Sequence, residues 1–143
     1  MKPLEGVTVL EFSTMITASF AAMMMAEQGA RVIKVEPMNV GDPMRYIGAN
    51  KGGISSLFAN CNRGKKSIRV NLKEEAGQNL IREMIGEVDI FIHNFRPGVM
   101  EKLNLGSEAL RGLNPRLIYA AISGFGKEAV SYTHLTLPTM IGV

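Results

Sequence analysis

Residues 88–98 read V-D-I-F-I-H-N-F-R-P-G, and the second half of this string gathers an amide (Asn94), an aromatic face (Phe95), a guanidinium (Arg96) and a Pro-Gly turn. Proline fixes φ and glycine admits a tight bend, so these side chains are presented on a short, shaped turn. An aromatic ring beside an arginine suits a flat base that carries a phosphate. Ahead of the turn, Val88, Ile90, Phe91 and Ile92 have the apolar character of a strand buried in a parallel sheet. Ligands of open α/β sheets bind beyond the carboxyl ends of the strands, which is where this turn falls. A strand-to-helix loop without a ligand fits the same residues, and both readings stand at this point.

A second cluster, Arg63, Lys65, Lys66 and Arg69, reads by default as a solvated basic turn. Its weight rises if the ligand carries several phosphates, each able to accept a charge-assisted hydrogen bond. Other chemistries fit less well. Glu36 lies about 20 residues past the first strand, where a ribose-binding acid would stand, yet no glycine occurs between Gly6 and Gly29. A dinucleotide pyrophosphate therefore has no close backbone approach. Glu36 is expected instead to end a strand and pair with a nearby basic side chain. No G-x-x-x-x-G-K-[ST] or G-x-S-x-G string is present, and Ser131, Tyr132 and His134 lack an identifiable orienting acid. Cys61 is the single cysteine, and His93 and His134 are the two histidines, so neither an internal disulfide nor a metal site is expected.

The elements that must position these residues alternate strand with helix. The apolar run Val7–Phe12 predicts a strand, with Ser13 and Thr14 available to cap the helix after it, residues 17–28. Gly29 is a natural stop for that helix, and residues 31–35 give a second strand. Together they make a βαβ unit with a parallel strand pair. Residues 38–61, rich in Gly and Asn, predict a long loop with one short helix near 55–59. Beyond it come a strand at 67–70, an amphipathic helix at 74–85 with Leu80, Ile81, Met84 and Ile85 on one face, and the strand at 88–92. A helical turn at 99–103, a Ser107-capped helix at 108–113 and a strand at 117–122 complete the pattern. The expected class is α/β, a Rossmann-like, mostly parallel sheet with flanking helices.

Composition bounds the alternatives. At 143 residues and 46% hydrophobic, the chain has room for one domain with a real core. A net charge of +3 favours anionic small molecules mildly, without the dense basic stripe of a nucleic-acid binder. The uncharged stretch 12–26 falls short of the roughly 20 residues a spanning helix needs. No signal-like leader opens the sequence, and a soluble, cytoplasmic protein is expected. Residues 129–143 are free of Asp, Glu, Lys and Arg and lack helical or strand periodicity.

Taken in order, P-L-E-G-V-T-V-L-E-F-S, G-A-R-V-I-K-V-E-P, G-D-P-M-R, N-R-G-K-K-S-I, N-F-R-P-G-V, N-P-R-L-I-Y and I-S-G-F-G resemble the amino-terminal part of a class III coenzyme A transferase. That family includes formyl-CoA, carnitine-CoA and bile-acid CoA transferases and 2-methylacyl-CoA racemases. The resemblance covers residues 3–128. It implies a Rossmann-like domain, here incomplete, with coenzyme A lying across the strand ends. Matched motif by motif, it implies CoA contacts at Ile16 and Thr17, at Leu72 and Lys73 near the adenine, at Asn94, Phe95 and Arg96, and at Lys102 for phosphate. It further implies acyl-CoA and a carboxylic acid as substrates, no metal, and an interlocked homodimer.

The family's transferases use an aspartate nucleophile that forms an aspartyl-CoA thioester. No Asp follows Asp89 here, so that residue is expected beyond the natural sequence and the fragment is expected to be inactive. The string V-S-Y-T-H-L-T-L-P-T resembles a translated sequencing adapter, and residues 129–143 are expected to be a non-native tail. Two other readings accompany the transferase: a fragment of a 2-methylacyl-CoA racemase, and a non-catalytic CoA- or nucleotide-binding module.

Overall fold

The computed structural model describes residues 1–124 and 126. Phe125 of the S-G-F-G string, the serine, tyrosine and histidine at 131–134 and the whole stretch 129–143 lie outside them.

Five strands, β1 (Thr8–Phe12), β2 (Arg31–Glu36), β5 (Lys66–Arg69), β6 (Ile90–His93) and β7 (Ile118–Ala121), form one parallel sheet in the order β5-β2-β1-β6-β7. A small antiparallel ladder joins β3 (Asn50–Lys51) to β4 (Ile54–Ser55). The helices are α1 (Thr17–Glu27), α2 (Ser56–Asn62), α3 (Glu75–Met84), α4 (Val99–Lys102) and α5 (Ser107–Leu113). The α/β class, the five sheet strands and their parallel sense agree with the sequence reading.

Side chains alternate across a strand, and the central strands β1, β2 and β6 are covered on both faces, which is why consecutive residues of each are buried. Leu10, Phe12, Ile33, Val35 and Phe91 pack on one face against Ile81 and Ile85 at the α3 end, Met100 and Leu110. Val9, Val32 and Ile92 point to the other face, against Ala18 and Ala22 of α1. The small residues of α1 let that helix lie close to the sheet. It ends as Gly29 predicts: Gly29, at φ 104°, donates to the Ala26 carbonyl at 3.0 Å, and Ala30 donates to Met25 at 3.0 Å. This is a Schellman closure.

Three local expectations are corrected. Neither Ser13 nor Thr14 caps α1: Ile16 stands at the N-cap with no side-chain bond, and Ser13 is buried, donating to the Glu11 carboxylate. A partner for a buried carboxylate outweighs a helix cap here, because an unpaired buried charge costs more than an uncapped turn. Ser107 is the first residue of α5 rather than its cap, a place taken by Gly106. The loop 38–61 also holds more structure than its composition predicts. It carries a 3-10 turn at Pro43–Tyr46 capped by Asp42, the β3–β4 ladder, and α2, whose Ser55 hydroxyl accepts from Phe58 N–H at 3.3 Å.

Candidate functional site

The chain runs from β1 outward to β2 and β5, then returns across β1 to β6 and β7. The carboxyl ends of β1 and β6 therefore flank the point where strand order reverses, the crevice in which open α/β sheets bind ligands. Two loops meet there. One leaves β1 through Ser13, Thr14 and Met15, the last in a left-handed conformation at φ 62°. The other leaves β6 through Asn94, Phe95 and Arg96 to Gly98, whose φ of 83° is left-handed and opens α4.

Asn94 ties the loops together. Its Oδ1 accepts from Thr14 N–H at 3.0 Å, and its Nδ2 donates to the Thr14 carbonyl at 2.7 Å and to Thr17 Oγ1 at 2.9 Å. Asp42 adds a third anchor. Its Oδ1 accepts from Met15 N–H at 3.3 Å and from Met44 N–H at 2.9 Å.

Behind the β1 loop lies a buried ionic network. Lys34 Nζ sits 2.8 Å from Glu11 Oε1 and 2.9 Å from Asp42 Oδ2, and Lys65 Nζ is 2.7 Å from Glu11 Oε2. All four side chains are at most 2% exposed. Two ammonium groups and two carboxylates balance, and the Ser13 and Ser19 hydroxyls complete the shell of Lys34 at 2.9 and 3.2 Å. Burial pushes the Lys65 ammonium below the ordinary lysine range, with Glu11 acting in the opposite direction. Beside the network, Glu36 ends β2 and pairs with Arg45, as the sequence predicts, Nη2 to Oε1 at 2.6 Å. Burial alone would raise the Glu36 pKa. Hydrogen bonds from Arg45, Ser67 and the Asp42 N–H outweigh it and bring the value to about 2.

Three cavities open along the strand ends. One of about 440 Å³ is lined by Phe12, Pro37, Met38, Leu72, Lys73 and Phe95, among others. A cleft of about 210 Å³ is lined by Thr17, Asn94, Phe95, Arg96, Ser123 and their neighbours. A third, of about 330 Å³, lies behind the β6 turn between His93, Phe95, Glu101, Arg111 and Tyr119. Phe95 lines all three.

Of the residues singled out from the sequence, Leu72, Lys73 and Phe95 meet at the largest cavity, and Thr17, Asn94, Phe95 and Arg96 meet at the cleft. Ile16 precedes the cleft at the start of α1, 45% exposed, and Lys102 is exposed at the end of α4; neither lines any of the three. Lys73 and Arg96 are exposed and enter no ion pair among the described residues. The basic quartet disperses instead of forming a phosphate cradle. Lys65 is buried on Glu11, Arg63 Nε pairs with Glu27 at 2.6 Å, and Arg69 reaches the Met38 carbonyl at 3.4 Å. Strand alternation across 66–69 sends neighbouring side chains to opposite faces.

Sequence reasoning passed over the scaffold under the site. Glu11, the one charge of β1, and Lys34, in the middle of β2, stand side by side in the β1–β2 register. An acid and a base that interrupt the apolar interior of two neighbouring strands are the signal that reveals the network.

The arrangement offers an aromatic face, exposed cations on either side of it, and apolar walls, which suits a long anionic ligand with a flat end. Among the described residues no three His, Cys, Asp or Glu side chains group to hold a metal ion, and no helix is long and apolar enough to cross a membrane.

Comparison with known proteins bears on which ligand this is. The family model for CoA-transferase family III matches residues 4–137. The acetyl-CoA:oxalate CoA-transferase of Acetobacter aceti is 42% identical over 125 residues, covering 87% of this chain and 32% of that protein. The succinyl-CoA–D-citramalate CoA-transferase of Chloroflexus aurantiacus is 42% identical over 127 residues, 88% of this chain and 32% of that one. Among solved structures, a CAIB/BAIF family protein from Brucella suis superposes with a TM-score of 0.84 at 36% identity, over 91% of this chain and 35% of that one. The chain thus spans about a third of the length of the proteins it matches.

Proposed function

The chain belongs to CoA-transferase family III, and from that premise we propose that it forms the CoA-binding part of an enzyme that moves CoA from an acyl-CoA to a carboxylic acid. The observation that carries this reading is Phe95, which lines both the 440 Å³ cavity and the cleft at the strand-order reversal. Adenine fits the cavity lined by Leu72 and Lys73, with Lys73, Arg96 and Lys102 near enough to the route of the phosphates to recruit them. Ile16 and Thr17 then border the path of the pantetheine arm at the amino end of α1.

The chemistry assigned to the whole enzyme is covalent catalysis by a carboxylate. An aspartate attacks the acyl-CoA thioester, releasing CoA thiolate and leaving a mixed anhydride. The thiolate attacks the aspartyl carbonyl, expelling the donor's carboxylate and giving aspartyl-CoA. The acceptor carboxylate then attacks that thioester, and CoA thiolate returns to form the new acyl-CoA while aspartate is regenerated. We assign the nucleophile to the part of the relatives' length that this chain does not span. The transferases named above favour this reading over a racemase.

An apolar stripe, Ile16 at the N-cap of α1 with Phe20 and Met24 on the helix, is 45–47% exposed. Four-residue spacing puts the three on one helix face, and such a face supports a reading in which further protein covers it, in an interlocked homodimer. Cys61, buried and free, fits a reducing, cytoplasmic setting.

Titration calorimetry with CoA tests the site. The 143-residue chain is expected to bind CoA and to lose most of that affinity on Phe95→Ala. Binding that survives Phe95→Ala unchanged, or no binding at millimolar CoA, would overturn the reading.

A further inference from the structure

We propose that His93 is a positioning residue for the CoA site: its unprotonated Nδ1 pins the Phe95 N–H and so sets the angle of the ring that all three cavities share. The proposal rests on the CoA reading for its consequence, and on geometry for its cause.

His93 is the last residue of β6 and is 6% exposed. Its carbonyl accepts from Ile122 N–H at 2.8 Å, which continues the pairing with β7 and fixes the residue's backbone. Its ring is fixed separately. It meets Phe91 edge-on at 6.2 Å between centroids and 63°, and Tyr119 at 5.4 Å and 69°. Aromatic neighbours on two sides favour one ring orientation. In that orientation Nδ1 accepts from Phe95 N–H at 3.2 Å. A neutral imidazole with Nδ1 accepting carries its proton on Nε2. The first peptide beyond Asn94 is thus held by a side chain from below, while Asn94 itself is held by Thr14 from the β1 side.

Protonation reverses the interaction. A second N–H on Nδ1 would face the Phe95 N–H, donor against donor, and the turn would be released. The groups around the imidazole decide when that happens. On α4, Glu101 favours the charged form; on β7, Tyr119 stays neutral, its phenol pushed up to about 12 by burial and Glu101 and its hydroxyl donated to the Leu105 carbonyl at 3.1 Å. Arg111 of α5 lines the same cavity. The sheet neighbours in register, Phe12 and Ala121, do not titrate. Burial outweighs Glu101, so the imidazole titrates below its ordinary range and the pin is in place at neutral pH.

The test uses two readouts on the intact chain. In the ligand-free protein, nitrogen-15 NMR is expected to report a neutral Nε2–H tautomer for His93, and the Phe95 amide is expected to shift with the His93 inflection. A Phe95 amide that stays still while His93 titrates would overturn the proposal. Against CoA, His93→Leu is expected to bind about tenfold more weakly at neutral pH. His93→Asn, whose Oδ1 falls where Nδ1 lay, is expected to bind as the parent does and to lack the parent's extra loss of affinity below the His93 inflection. Parent-like binding by His93→Leu would also overturn the proposal. If the parent itself bound no CoA, the CoA reading would fall, and the amide titration alone would decide the role of His93.

Discussion

The side chain of Asn94 and the backbone of Thr14 hold each other by two hydrogen bonds, Oδ1 from the Thr14 N–H at 3.0 Å and Nδ2 to the Thr14 carbonyl at 2.7 Å. The pair spans 80 residues of sequence and joins the ends of β1 and β6. The backbone of one residue has one donor and one acceptor, and a primary amide offers the complementary two. Glutamine carries the same primary amide but is one methylene longer. The amide that the sequence marks as a ligand contact is therefore spent largely on assembling the site.

Asn94→Ala accordingly removes three hydrogen bonds and leaves the N–H and carbonyl of half-buried Thr14 without these partners. A loss of about 2 kcal/mol in unfolding free energy is expected from urea denaturation. Asn94→Asp keeps the acceptor and loses both donors, so its loss should fall between parent and alanine. Equal stability of the parent and the alanine variant would mean that the clasp contributes nothing.

Glu36 gives the protein an acid limit. Its folded pKa of about 2 lies below the ordinary 4.5, so the unfolded chain binds more protons between those values and stability rises with pH there. The contribution is complete above the unfolded pKa and disappears as pH falls through the folded one. Its size is roughly 3 kcal/mol, since each tenfold change in proton affinity corresponds to about 1.4 kcal/mol. Denaturation between pH 6 and 2.5 should show Glu36→Gln less stable than the parent at pH 6 and flatter with pH. Parallel curves for the two proteins would remove Glu36 from the account.

In the buried network, Lys34 separates two carboxylates, Glu11 and Asp42, that it approaches to 2.8 and 2.9 Å. Lys34→Met strands those charges with Lys65 as their remaining cation, and a cost of about 3–5 kcal/mol is expected. Adding Asp42→Asn to Lys34→Met removes one stranded charge and should recover part of the loss. A thermal or urea double-mutant cycle measures that coupling. Additive losses would show that the two groups do not share one electrostatic site.

The sequence made the sheet legible because its central strands are buried on both faces and its strands are bounded by Gly, Pro and polar turns. Phe95 was legible too, since an aromatic between an amide and a guanidinium stands out against apolar surroundings. What escaped was set by particular contacts that neither periodicity nor local propensity registers. Ser13 has the composition of a cap, and only the approach of Glu11 and Lys34 turns it inward. The β3–β4 ladder pairs two residues with two, too few for any periodicity to register. Gly77 reads as a weak point in an amphipathic helix, yet a Cβ there would lie 2.1 Å from the Asn71 carbonyl oxygen. That close approach seats the loop carrying Leu72 and Lys73 against α3, and no pattern in the chain announces it.

The three cations proposed to meet the phosphates of CoA stand in different surroundings, which separates them experimentally. Lys73 lines the 440 Å³ cavity and Arg96 the adjoining cleft, whereas Lys102 stands exposed at the end of α4, outside both. A charge-assisted hydrogen bond to phosphate contributes about 1.5–3 kcal/mol, while an exposed charge acting at a distance contributes less and is screened by salt. Lys73→Ala and Arg96→Ala should each weaken CoA binding about tenfold or more, and much of that loss should persist at roughly 0.5 M salt. Lys102→Ala should weaken it less, with an effect that fades as salt is added. Dephospho-CoA sharpens the comparison, because it lacks the 3′-phosphate: the residue that contacts that group should show no effect of its alanine substitution on dephospho-CoA binding. If Lys102 is that residue, its loss with CoA must survive high salt and vanish with dephospho-CoA. If its effect is small and salt-sensitive with both ligands, Lys102 steers the ligand without touching it, and the phosphate contact belongs to Lys73 or Arg96.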